Sequence, residues 1–96
     1  MNINTARDFY TGQVTNIGNV TPVVLGASQR LRLGVTVLAP STNSGTIYVA
    51  STSSGANSRD GFPLIAGASI DIKIDDINKV YVVGSASSGN VNYIGA

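Results

Sequence analysis

Cysteine and histidine are absent from this chain. Their absence excludes disulfide cross-links, thiolate or imidazole metal ligation, and the Ser-His and Cys-His pairs behind most nucleophilic catalysis. A serine nucleophile would have to use Lys73 or Lys79, and both stand among acidic and turn residues where a depressed lysine pKa is not expected. Charge is scarce too: 11% of residues are Asp, Glu, Lys or Arg, against about 25% in an ordinary soluble domain. The net charge of +1 has no block of like sign behind it. The chain therefore lacks the electrostatic footprint of a nucleic-acid or anionic-membrane partner. No run is apolar and long enough to span a bilayer, and MNINTARDFYTGQVTNIG lacks the basic-then-apolar pattern of a leader, so residence in a cytoplasm after synthesis is the expectation. A non-enzyme with no cofactor and no metal is expected.

What is present is apolar and small-polar: 43% of the 96 residues are hydrophobic, and solubility rests on Ser, Thr, Asn and Gly. A chain of this length makes one domain with a modest core. With neither disulfide nor histidine-held metal to add stability, self-association is the natural support, and the composition suits shells and fibres.

The patterning is that of strands. QRLRLGVTVL, Gln29 to Leu38, sets Leu31, Leu33, Val35 and Val37 on one face and Arg30, Arg32, Gly34 and Thr36 on the other. APSTNSG then reads as a loop and TIYVAS, Thr46 to Ser51, as the returning strand of an antiparallel hairpin. STSSGANSRDG is too polar to bury and reads as an exposed excursion with a mobile tip, after which Phe62 and Leu64 return to the core. In SIDIKID, Ile70, Ile72 and Ile74 share a face opposite Asp71, Lys73 and Asp75. DINK, Asp76 to Lys79, reads as a turn, VYVVGS as a strand apolar on both faces, and VNYIGA as a last short strand. VTPVVLG reads as an edge strand because Pro22 sits inside it. About seven short strands without a 3.6-residue period predict an all-β fold, a single antiparallel β-sandwich or jelly-roll-like barrel.

Four groups of residues invite a chemical reading. Asp71, Asp75, Asp76 and Asn78 offer oxygen ligands for a hard cation, but Ile72 and Ile74 intervene and no calcium-loop spacing is present, so strand charges and an Asx-type turn account for them. Arg30 and Arg32 could hold phosphate or an acidic partner surface bidentately, but two residues are a weak signal and a solvated face that discourages edge pairing is the preferred reading. Arg59 and Asp60 form either a loop-tip ion pair or a subunit contact. Tyr10, Tyr48, Tyr81 and Tyr93 could build a sugar-stacking platform, against the ordinary reading of ring burial with the hydroxyl at the surface.

The order TPVVLGA, LRLGVTVLAP, SGTIYVAS and GFPLIAGASIDIKIDDINKVYVVGSASSGNVNYIG, spanning roughly residues 14 to 95, resembles the small virion structural proteins of tailed bacteriophages, the capsid decoration or cement proteins and head-fibre modules. The resemblance implies a protein of the capsid exterior, made in the host bacterial cytoplasm, that binds the major capsid protein and itself, as a trimer on a local three-fold of the lattice. It implies residues 1–13 as an extended arm and 14–96 as the sandwich, with contacts from Arg7, Phe9, Tyr10, Arg30, Arg32, Arg59 and Asp60 and from the loops 40–45 and 51–61. The alternative it leaves is a fibre or baseplate module that recognises host-surface carbohydrate.

Overall fold

Short apolar stretches broken every few residues by Gly, Pro, Asn or Ser cannot sustain a helix, and they pair instead as strands. In a computed structural model, which describes residues 9–86 and 88–96, eight strands form: β1 (Tyr10–Ile17), β2 (Val23–Val24), β3 (Val35–Leu38), β4 (Ile47–Ala50), β5 (Phe62–Leu64), β6 (Ser69–Ile72), β7 (Tyr81–Gly84) and β8 (Gly89–Gly95). The one helical element described is a 3-10 turn, Ile77–Lys79, between β6 and β7. The strands make two antiparallel sheets, the first in the order β1-β8-β3-β6 and the second β2-β7-β4-β5. Four pairings nest in sequence: β1 with β8, β2 with β7, β3 with β6 and β4 with β5. Ladders between β3 and β8 and between β4 and β7 join the nested pairs into sheets. The inner faces supply the core, with Ile17, Val35, Val37 and Val91 from the first sheet and Ile47, Val49, Leu64 and Val82 from the second. The architecture is the expected β-sandwich.

The structure departs from the sequence reading in five places, the first being Phe62, expected to return to the core with Leu64 but left 55% exposed because it opens a three-residue edge strand. There are eight strands rather than about seven, because Tyr10–Gln13, assigned to the arm, pair with Asn92–Gly95 as the first half of β1; residues 1–8 of that arm lie outside the described residues. The strand expected over Gln29–Leu38 is regular only from Val35. The amides of Arg32 and Leu33 donate to the main-chain oxygen of Ala96 at 2.9 and 2.7 Å, and Gly34 turns the chain at φ +112°. That turn breaks the alternation, so Leu31 enters the core while Leu33 is left 49% exposed. The expected hairpin does not form: β3 lies in the first sheet and β4 in the second, and the loop between them crosses the sandwich. DINK is a turn, as expected, but it carries the chain from β6 in the first sheet to β7 in the second rather than back along the same sheet.

Candidate functional site

The Asp-rich corner is a structural joint. Asp76 is the one buried charged side chain among the described residues. One carboxylate oxygen accepts from the amides of Gln29 at 2.8 Å and Asn78 at 3.1 Å, and the other accepts from the Ser28 hydroxyl at 2.6 Å. It caps the 3-10 turn and ties it to the segment leading into β3. Asp75 accepts from the Lys79 ammonium at 2.7 Å, one turn away, and Asp71 accepts from the Thr36 hydroxyl across the β3–β6 ladder. Each carboxylate of this corner thus has its own donor, and no group of three or more acidic ligands converges among the described residues.

These donors hold the Asp76 carboxyl below its ordinary pKa, chiefly through the Ser28 hydroxyl and then the Asn78 and Gln29 amides. The hydrogen bond and charge of Lys79 do the same for Asp75. A carboxyl whose folded pKa is depressed contributes stability above its unfolded value, and the contribution is lost as pH falls through the folded one, which places the loss below about pH 4. Asp76→Asn is expected to lower the melting temperature at neutral pH, because the amide sets an N–H against one of three donors, and to lose less on acidification than the parent. Thermal unfolding followed by circular dichroism from neutral pH into acid measures this. Parallel acid limbs in the two proteins would assign the sensitivity to other carboxyls.

Of the expected contact residues, Arg7 lies outside the described residues. Arg30 does not share a sheet face with Arg32; it makes an isolated bridge to Asp76 beside the corner. Arg59 and Asp60 make no ion pair, the one such pair among the described residues being Lys79–Asp75. Asn57 organises their excursion instead, its side-chain oxygen accepting from the amides of Arg59 at 2.9 Å and Asp60 at 2.7 Å. The four tyrosines divide between the sheets: Tyr10 and Tyr93 face inward with Val14 and Val91, whereas Tyr48 and Tyr81 stand on the outer face of the second sheet. They do not make a single platform.

Phe9 and Arg32 do meet on one surface. The outer face of the first sheet is a row of Thr11, Ile94, Thr36 and Asp71 from adjacent strands. Ile94 is 47% exposed and Phe9 67% exposed, and together with Leu33 they border a shallow hollow of about 310 Å³ rimmed by Asp71 and Lys73. Leu33 and Lys73 also line an adjoining hollow of about 550 Å³, completed by Leu31, Arg32, Ile74 and Asp75. No family model, no curated protein and no solved structure matches this chain. The geometry therefore carries the functional argument: an apolar centre of Phe9, Leu33 and Ile94 bordered by the charged side chains of Arg32, Asp71, Lys73 and Asp75. Sequence periodicity missed this surface because it turned Leu33 inward.

A third hollow, of about 290 Å³, lies on the outer face of the second sheet. Tyr48 and Val83 form its floor, and Asn19, Asn57, Ser58 and Ser85 stand around it with no charged side chain. The Asn57 amide is occupied within its own loop, but the Ser85 hydroxyl, which accepts from the Thr46 amide at 2.8 Å, keeps its own hydrogen to donate.

Proposed function

We propose that this chain is a structural virion protein that binds the exterior of a tailed-phage capsid, contacts the major capsid protein, and stabilises the shell without catalysis. The observation that carries the proposal is the Phe9, Leu33 and Ile94 surface with its rim of Arg32, Asp71 and Lys73. An apolar centre inside a polar rim is the anatomy of a protein interface, and large hydrophobic side chains are left uncovered on a chain with little charge to solvate them. The nested strand pairing supports the finer architectural reading, a jelly roll of two Greek keys, an arrangement used by capsid and lectin domains alike. Architecture alone sets the class and not the partner.

The test adds purified protein to undecorated shells and measures occupancy. Leu33→Asp combined with Ile94→Asp is expected to weaken binding by about thirtyfold or more, the loss typical of truncating a buried anchor at an interface centre. Occupancy should fall little between low and moderate salt, since the contact is mostly uncharged. Removing residues 1–8 tests the arm while keeping β1, whereas removing 1–13 would also take away Tyr10–Gln13 and their pairing with β8. Undiminished occupancy of the double variant would move the contact elsewhere.

The carbohydrate reading has one observation in its favour, the Tyr48 hollow, where an aromatic floor and uncharged amide and hydroxyl groups suit the apolar face and hydroxyls of a neutral sugar ring. The same protein is therefore taken to an array of neutral glycans. Saturable binding abolished by Tyr48→Ala, with no occupancy of shells, would replace capsid binding by glycan recognition.

A further inference from the structure

The two sheets have four edges, and three are blunted. β2 is two residues long and follows Pro22; β5 is three residues long with Pro63 at its centre; β6 carries Asp71, with Lys73 just beyond. Short length, proline and charge are the devices by which edge strands avoid adding to another chain. β1 has none of them. It is eight residues long, YTGQVTNI, without proline or charge, and among the described residues it is paired on one side only, by β8. Its register is regular from Tyr10 to Val14 and then shifts before Ile17, where Asn16 takes φ +56°.

We propose that the Tyr10–Val14 edge of β1 pairs antiparallel with β1 of a second copy across a two-fold axis, joining two first sheets into one eight-stranded sheet. A two-fold brings a strand against itself in antiparallel sense, with the same residues on both sides of the contact. Such a contact sets any charge close to its own copy, and β1 has no charge to repel. The outward side chains of its regular part, Thr11 and Gln13, each donate and accept, so they bond to their own kind as well as to any other. A foreign strand of definite charge would find nothing complementary here. Pairing also closes, because the edges left on the joined sheet are the two copies of charged β6. This two-fold contact departs from the three-fold arrangement implied by the phage resemblance and does not depend on the capsid surface described above.

Sedimentation equilibrium over a range of concentrations tests it. The parent chain is expected to pass from monomer to dimer. A variant with Thr11→Lys and Gln13→Lys, folded by circular dichroism, is expected to dimerise about a hundredfold more weakly, because like charges then face one another across the axis. Mixing it with the Thr11→Glu, Gln13→Glu variant should restore a dimer containing one copy of each. Should the variants fail to fold, amide exchange of the parent gives the same answer: protection within Tyr10–Val14 should rise with concentration. A parent that stays monomeric, a dimer indifferent to the lysines, an assembly not restored by mixing, or protection independent of concentration would each overturn the proposal.

Discussion

Gly34→Ala should cost about 3–5 kcal/mol of folding free energy, and Gly18→Ala close to nothing. Gly34 sits at φ +112°, a region that side chains enter only with strain of about 1–3 kcal/mol. A Cβ there would also collide with the carbonyl oxygen of Ile72 and come within 3.1 Å of that residue's carbonyl carbon and 3.0 Å of the Lys73 Cα. These are backbone atoms of β6 and its exit, so they cannot swing aside, and overpacking adds about 1–3 kcal/mol more. The position is a junction: the Gly34 carbonyl accepts from the Ala96 amide at 3.0 Å, and the next residue, Val35, opens the ladders to β6 and β8. A Cβ on Gly18 meets nothing within 4 Å. For a domain of this size, whose total stability is about 5–14 kcal/mol, the first change removes a large share and the second leaves urea unfolding unchanged. Equal midpoints for the two variants would show that β6 yields at Ile72 and that the tight approach is not a constraint.

The same glycine marks the limit of what could be read from the sequence. Alternation identified β6, with Ile70, Ile72 and Ile74 toward the core and Asp71 and Lys73 toward solvent, because a period of two is a local property of a half-buried strand. It found Pro22 beside an edge strand and DINK as a turn for equally local reasons. It failed at Leu33, where the pattern LRLGV continues unbroken in letters while the backbone does not, since the three amides of Arg32, Leu33 and Gly34 gather on the oxygen of Ala96, more than sixty residues away. It failed likewise at β3 and β4, whose connection is as compatible with crossing the sandwich as with a hairpin; which sheet each strand joins is fixed by β8 and β7, far along the chain. The candidate surface inherits both failures. Phe9 and Arg32 were legible as unburied residues, but the apolar centre between them exists only because Leu33 turns outward and Ile94 lies in register between Thr11 and Thr36.

Leu64→Ala is expected to destabilise the domain by about 2–5 kcal/mol, the range for deleting a buried leucine and leaving part of its volume empty. The reason for placing it high in that range lies in β5. The strand has three residues: Phe62 is 55% exposed, Pro63 is exposed and has no N–H for the ladder, and Leu64 is 1% exposed. Leu64 is thus the one side chain of β5 seated in the core, opposite Ile47 on β4. Its loss removes packing from the edge of the second sheet and frees the end of the excursion that runs from β4 to β5. Two measurements separate these effects. Urea unfolding reports the global loss, and tryptic cleavage after Arg59, the basic residue of that excursion, reports local release and should accelerate in the variant beyond what the global loss explains. A loss below about 1 kcal/mol with unchanged cleavage would mean that neighbouring side chains refill the space, and that β5 is held by its ladder to β4 rather than by its single core leucine.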